Sequence, residues 1–254
     1  MTPLLDSELL KLRTTRVPLA LLNAAVGGSV TMAALIVVLS SRPDISGEVG
    51  ARLVLSSGGI TGGVMALLLG IVATAGEYRH GTILPTLLVT PDRPRVTLTQ
   101  IIASAVAGAL IGATSVAAAM AVGIPLLAAR DVAFALSAWQ LVGLVLGGVC
   151  FTTLSGALGA ALGALMRSQV GAVALAMMIL FVIEPGITEL KLIDGYQRYS
   201  LIGVRVAMSG GAAESAGEAT GGLPPFWLAA LIWTGCTLAL IVAATVTGRR
   251  RDIP

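Results

Sequence analysis

The sequence predicts an all-α polytopic membrane protein with six transmembrane helices. Three observations carry this prediction: a low content of charge, a high hydropathy and long apolar runs. The 254 residues are 56% hydrophobic and only 11% charged, whereas soluble domains average roughly 25% charged residues. The mean hydropathy is +0.93. So few charged residues cannot cover the surface of a water-soluble domain of this size. A disordered chain is also excluded, because disordered chains are poor in hydrophobic residues.

Six apolar runs account for most of the chain. About 20 apolar residues are needed for a helix to cross the hydrocarbon core of a bilayer. The runs are 17–40, 53–75, 98–128, 138–166, 169–184 and 226–247. The fifth is short, and we expect it to stop at Glu184, because Pro185 and Gly186 follow. The chain 1–254 is therefore predicted to be a single transmembrane domain.

Glycines recur four residues apart within these runs. Such pairs let helix backbones approach closely in a membrane, where no hydrophobic force drives association. The pairs are Gly58/Gly62, Gly59/Gly63, Gly108/Gly112, Gly143/Gly147 and Gly159/Gly163. We expect most of them to pack helices of this chain against one another, although some could serve an interface between subunits.

The distribution of basic residues predicts the orientation. Ten of the 16 Lys and Arg residues lie in the N-terminal segment, in the connections after spans two and four, and in the tail. Because short cytoplasmic loops are enriched in Lys and Arg, we expect both termini in the cytoplasm and the protein in the cell membrane. The formal charge of +3 then reflects orientation, so no nucleic-acid partner is expected. No cleaved signal peptide is expected, because charged residues precede the first apolar run.

The segment 4–16 predicts an amphipathic helix that precedes the first span. Leu5, Leu9 and Leu12 share one helical stripe, and Lys11 and Arg13 lie off that stripe. Asp6 or Ser7 is expected to cap its start. Such a helix lies in the membrane interface with its basic residues among anionic headgroups, which makes membrane lipid a partner. These basic residues are Lys11, Arg13 and Arg16.

The connection 76–96 predicts a short helix on the cytoplasmic side. Thr82 is a suitable N-cap and Pro85 falls in the first turn. Two further prolines, Pro91 and Pro94, end the helix after about two turns. One side of this helix is apolar, which leaves two interpretations open: it docks into the groove of a partner protein, or it lies on lipid.

Catalysis and ion coupling find little support in the sequence. Neither lysine, Lys11 or Lys191, follows the glycine pattern of a P-loop. Ser57 and Ser155 lie in spans, but the single histidine, His80, does not, so a serine nucleophile would lack a base. No catalytic or metal-binding residue is therefore predicted. Ion-coupled carriers usually hold ionisable residues within their spans, and the span interiors here have none.

Polar but uncharged side chains do occur within the spans. They include Asn23, Thr114, Ser115 and Thr152. Residues of this kind most often form hydrogen bonds between transmembrane helices. We therefore expect them to bond to neighbouring helices and not to bind substrate.

Two segments carry motifs that point to a family. Residues 77–93 read Glu-Tyr-Arg-His-Gly-Thr-Ile-x-x-Thr-Leu-x-x-x-Pro-x-Arg, and residues 7–16 read Ser-Glu-Leu-Leu-Lys-Leu-Arg-Thr-Thr-Arg. The loop motif of 77–93 resembles the connection between the second and third spans of ABC-2-type permeases, the membrane subunits of ATP-binding-cassette exporters. The segment 7–16 is similar to the interfacial elbow helix that precedes the first span of these permeases. Six spans with cytoplasmic termini also fit this family.

The resemblance implies a coupling helix in the cytoplasmic connection, which would transmit nucleotide-driven motion from an ATPase. The coupling residues that it implies are Glu77, Arg79, Gly81, Thr82, Ile83, Leu84, Leu87, Pro91 and Arg93. It also implies short re-entrant helices in the outer loop 185–225. In the family the second and fifth spans line the path, so Met65, Leu68, Met177 and Phe181 are expected to line it here.

The family's assembly implies two kinds of protein partner. One is a separate ABC ATPase subunit in two copies, which binds ATP and Mg. The other is a second permease, either identical or homologous. An apolar path implies export of a hydrophobic or amphipathic substrate such as a drug, lipid or lipopeptide. This chain would be neither an enzyme nor a cofactor carrier. The alternative is an ATP-independent secondary transporter or channel of the cytoplasmic membrane.

Overall fold

The computed structural model describes residues 2–41, 47–79, 81–82, 92–132, 136–189, 199–211 and 223–250. All regular secondary structure within these ranges is helical. The helices are α1 (Thr2–Thr14), α2 (Arg16–Leu39), α3 (Gly47–Arg79), α4 (Arg93–Ala129), α5 (Ala138–Met166), α6 (Gln169–Met178), α7 (Glu184–Glu189), α8 (Leu201–Met208) and α9 (Phe226–Arg250). A π-helical turn, Ile179–Ile183, joins α6 to α7.

Six helical segments in the described ranges are long and apolar enough to cross a membrane. They are α2, α3, α4, α5, α9 and the continuous segment that begins with α6. The prediction of an all-α, multi-pass membrane protein is confirmed at this level. The placement of α1 in a membrane interface and of α7 and α8 as re-entrant helices stays a prediction.

Helices α3 and α4 are longer than the spans predicted for them. They contain 33 and 37 residues, which corresponds to ~50 and ~55 Å of helix. A hydrocarbon core is only about 30 Å thick. Both helices therefore extend to an end of the bundle that we call the N-terminal face, formed by α1, the last turns of α3 and the first turns of α4. At that face they carry polar side chains that an apolar run does not contain.

The start of α1 differs from the prediction. The helix begins at Thr2, so Asp6 and Ser7 lie inside it and the expectation that one of them caps it is wrong. The Ser7 hydroxyl instead donates to the Leu4 carbonyl oxygen at 2.8 Å, as serines within helices often do. At Thr15 the backbone is extended, with φ −88° and ψ 148°, and α2 starts at the next residue.

The helix that contains the predicted fifth span continues past Glu184, although Pro185 and Gly186 were expected to end it there; the point at which the span leaves the membrane stays a prediction. The chain remains helical through Pro185 to Glu189. A proline inside an α-helix lacks a donor and clashes with the carbonyl four residues earlier. The preceding turn is π-helical, with the Glu184 N–H bonded to the Ile179 carbonyl oxygen, and this wider turn accommodates the ring.

Glycines bring α3 into backbone contact with α4 and α5. A Cβ on Gly70 would meet backbone atoms of Gly156 and Ala160, and a Cβ on Gly159 would lie 3.0 Å from the Leu67 Cα. Gly108 of α4 approaches the Thr152 backbone of α5 in the same way, and Gly112 faces the Thr152 side chain. The expected packing within the bundle is therefore confirmed for Gly108, Gly112 and Gly159. Gly143 differs, because a Cβ there would find no atom within 4 Å.

The polar side chains inside the spans do not behave as expected. Thr114 and Thr152 donate to carbonyls of their own helices, Leu110 and Val149, at 2.9 Å. The Ser115 hydroxyl is buried and has no partner among the described residues. The expectation of bonds between helices is therefore wrong for these three: the two threonine hydroxyls bond within their own helices, and the Ser115 hydroxyl has no partner among the described residues.

The glycine packing predicts a difference between two identical substitutions in α5. Gly159→Ala should destabilise the protein by about 1–3 kcal/mol, because the added methyl overlaps the α3 backbone. Gly143→Ala should be neutral or stabilising, because alanine favours helix and the site is open. Thermal unfolding of both variants in one detergent, followed by tryptophan fluorescence, tests this. Equal midpoints would contradict it.

Candidate functional site

A buried carboxylate joins three helices at the N-terminal face. Glu77, near the end of α3, is only 7% exposed. One carboxylate oxygen accepts a hydrogen bond from Lys11 Nζ of α1 at 2.8 Å, and the other accepts one from Gln100 Nε2 of α4 at 2.6 Å. A buried charge is tolerated only when it is paired and hydrogen-bonded. Both oxygens of Glu77 meet that condition.

Lys11 connects Glu77 to a second carboxylate. Its ammonium lies 2.7 Å from Glu8 and 2.8 Å from Glu77. Burial acts to lower the pKa of Lys11, but its hydrogen bonds to Glu77 and Glu8 outweigh this, and the pKa is raised above its usual value. The lysine therefore stays charged through the neutral range. Its contribution to stability is lost only as the pH rises through that raised pKa.

The end of α3 also contacts the start of α6. Arg79 Nη1 donates a long hydrogen bond of 3.4 Å to Gln169 Oε1. The Arg167 guanidinium lies 5.5 Å from the centre of the Tyr78 ring, within the range of cation–π attraction. Helix α3 thus touches α1, α4 and the fifth transmembrane helix within its last turn.

A cavity of about 630 Å³ opens beside this network. It lies between α1, α2, the last turns of α3 and the first residue of α6. Most of its lining is apolar, and the charged side chains described above also contribute to it. The lining includes Leu12, Pro18, Leu21, Leu69, Lys11, Glu77, Arg79 and Gln169. A space lined by both apolar and charged side chains is suited to an amphipathic occupant.

The predicted coupling residues fall partly outside the described ranges. Arg79, Gly81 and Thr82 are exposed. Gly81 has φ +66°, a conformation that favours glycine. The remaining members lie outside the described residues, except that Arg93 begins α4, where only its backbone is described. They are Ile83, Leu84, Leu87 and Pro91.

The residues predicted for the elbow helix and for the translocation path differ in burial. Arg16 is exposed, and Arg13 is described only as backbone in α1. Met65 and Met177 are partly buried against two separate hydrophobic clusters. Leu68 is half-buried and Phe181 is exposed. None of the four predicted path residues lines the cavity, and their role in a translocation path stays a prediction.

Gln100 and Glu8 are site residues that the sequence did not predict. Gln100 is 4% exposed, and its amide is the donor that completes the Glu77 site. An amide inside an otherwise apolar run was the available signal. Glu8 could be recognised only from the fold, because it contacts Lys11, which also bonds to Glu77 of α3.

A second buried carboxylate lies at the opposite end of the bundle. Glu184 is 2% exposed and accepts backbone N–H bonds from Leu201 at 2.6 Å and Ile202 at 3.2 Å. These are the first residues of α8, whose free N–H groups favour a negative charge. Burial lowers the pKa of Arg205 on α8, and the nearby Glu184 charge opposes this.

The two serines considered as nucleophiles form hydrogen bonds within their own helices. The hydroxyls of Ser57 and Ser155 donate to carbonyls of their own helices, Val54 and Phe151. Cys150 and Cys236 are free. Within the described ranges, no group of three or more His, Cys, Asp or Glu side chains could hold a metal ion. The arrangement at the N-terminal face is one that holds helices together.

The fold and site define a multi-pass helical membrane protein in which a charged hydrogen-bond network links three helices at one end of the bundle. No protein-family model matches the chain, and no curated protein matches it either.

The geometry predicts unequal coupling of Lys11 to its two partners. A double-mutant cycle with Lys11→Met and Glu77→Gln should give about 1 kcal/mol, between the values for exposed pairs and for buried charged hydrogen bonds. The cycle with Lys11→Met and Glu8→Gln should give ~0.3 kcal/mol, as usual for neighbours on one helix. Unfolding in detergent measures both. A larger Glu8 coupling would contradict the assignment.

Proposed function

We propose that this chain is the transmembrane subunit of an ABC exporter of the ABC-2 type. It would pair with a second permease, identical or homologous, and with two copies of a separate ABC ATPase. ATP and Mg would bind to that ATPase. The cargo would be hydrophobic or amphipathic, such as a drug, a lipid or a lipopeptide, and it would move out across the cell membrane.

The observation that supports this proposal most is the contact between the two segments that carry the family resemblance. Lys11 belongs to the elbow-like segment and Glu77 opens the loop motif, and their charged atoms lie 2.8 Å apart although 66 residues separate them. A coupling joint needs a rigid link between the segment that receives a push and the helices that move. Glu77 provides such a link, because its two oxygens hold α1 and α4 together.

In the proposed mechanism, closure of the ATPases pushes on Ile83, Leu84 and Leu87. The force enters α3 through Arg79 and Glu77. It then spreads to α4 through Gln100, to α1 through Lys11 and to α6 through Gln169. The helices tilt together, and the path between the two permeases changes from inward-open to outward-open.

The cavity at the N-terminal face supports the proposed class of cargo. Its lining combines apolar and charged side chains, and it includes Val17 and Pro18 at the start of α2. Under the proposed topology this level is the cytoplasmic leaflet. An amphiphile from that leaflet could place its tail against Leu21 and Leu69 and its polar group near Arg79.

The second candidate is an ATP-independent carrier or channel. Apart from Glu184, which lies at the edge of the fifth run, the six apolar runs hold no ionisable residue. This disfavours a carrier, because ion-coupled carriers usually need such residues within their spans. Transport that persists after ATP depletion would favour this candidate over the exporter.

The proposal predicts that two substitutions abolish binding of the ATPase. The double variant Leu84→Asp, Leu87→Asp should no longer co-purify the ABC ATPase that we expect to be encoded beside this gene, because carboxylates do not enter an apolar groove. Thr86→Asp with Val89→Asp adds the same charge on the other side of the predicted helix and should retain binding. Retained binding by the first variant, or loss by both, would remove the coupling-helix assignment.

The proposed topology has a separate test. A green fluorescent protein fused after Pro254 should fluoresce, and alkaline phosphatase at the same place should be inactive, because both termini are expected in the cytoplasm. Fusions after Arg130, in the connection that follows α4, should give the reverse pattern. An active phosphatase at the C-terminus would overturn the orientation.

A further inference from the structure

An unpaired amide lies on the exposed side of the first transmembrane helix. Asn23 is the only asparagine in the chain. It lies in α2, seven residues after Arg16, and its side chain is exposed. No described residue forms a hydrogen bond with it. In contrast, the exposed hydroxyl of Thr114 on α4 is bonded to the carbonyl of Leu110.

The depth of Asn23 makes this exposure costly in lipid. Seven residues of α-helix correspond to about 10 Å, so a span that begins at Arg16 places Asn23 inside a hydrocarbon core of about 30 Å. Acyl chains offer neither a donor nor an acceptor. An unsatisfied polar group there costs several kcal/mol. A polypeptide surface with its own polar groups would remove that cost.

The residues around Asn23 favour a close neighbour. Gly27 and Thr31 follow it at intervals of four and share its exposed side of α2. A Cβ on Gly27 would find no atom of this chain within 4 Å. The Thr31 hydroxyl also has no partner among the described residues. A small residue between two polar ones lets another backbone approach and bond to them.

We propose that this polar stripe, Asn23, Gly27 and Thr31, is the surface at which a second copy of the chain packs in the membrane. An amide both donates and accepts, so two copies can satisfy each other's stripe around a two-fold axis. The stripe carries no charge and so requires no oppositely charged partner. The inference rests on the proposed function only in expecting a second permease, and it names the surface where that permease binds.

Self-association of the chain alone tests the proposal. Copies that carry donor or acceptor fluorophores at the C-terminus are reconstituted into phosphatidylcholine vesicles, and energy transfer is followed as lipid dilutes the protein. Asn23→Leu should weaken association by about 3- to 20-fold, the range that one interhelical hydrogen bond supplies. Asn23→Gln should restore part of it. Thr114→Val is the polar control and should change nothing.

A second pair of variants keeps the test independent of folding. Gly27→Leu should prevent association without unfolding the monomer, since the site is open within the chain. Gly235→Leu places the same side chain at an equally open glycine in α9 and should associate normally. Three results would overturn the proposal: a monomeric wild type, unchanged association of Asn23→Leu, or loss with Gly235→Leu but not with Gly27→Leu.

No ATPase is present in this experiment, so its outcome is separate from that of the proposed function. Loss of the ATPase interaction with intact association would remove the exporter and leave the interface. Intact ATPase binding by a monomeric chain, or by one that associates through another face, would keep the exporter and remove the interface.

Discussion

The close approach of α3 to α5 is the constraint on which the rest of the bundle depends. Lipid tails are as apolar as leucine, so helices inside a bilayer are held by van der Waals contact and not by the hydrophobic effect. Gly70 and Gly159 provide that contact by omitting the side chains that would hold the two backbones apart. Helix α4 joins the pair through Gly108. The other three transmembrane segments surround this centre and are less buried.

Two buried carboxylates hold neighbouring helices in place at the two ends of the α3–α5 pair. Glu77 and Glu184 are both more than nine-tenths buried, and each receives donors from elements distant in sequence. Glu77 binds a side chain of α1 and one of α4, whereas Glu184 binds the backbone at the start of α8. Such groups are stable only while their partners remain in place. Each therefore specifies one position for a helix that the glycines do not hold.

Hydropathy alone was sufficient to predict the six spans, because a bilayer imposes length and composition on any helix that crosses it. It could not predict the extra turns of α3 and α4, where polar residues such as Glu77 continue the helix beyond the apolar run. The π-helical turn before Pro185 was also unpredictable, since periodicity does not show where a helix widens. The partners of Lys11 and the exposure of Asn23 depend on which helix faces which, and a single sequence does not contain that information.

The fifth transmembrane helix connects the two carboxylate sites by itself. It starts at Gln169, beside Arg79, and reaches Glu184 after 15 residues, which is about 22 Å of helix. Its first ten residues are α-helical, and Ile179–Ile183 forms a π-helical turn directly before Glu184. One continuous helical segment therefore links the charged network at the N-terminal face to α8 at the other end, because Glu184 accepts two N–H groups of α8.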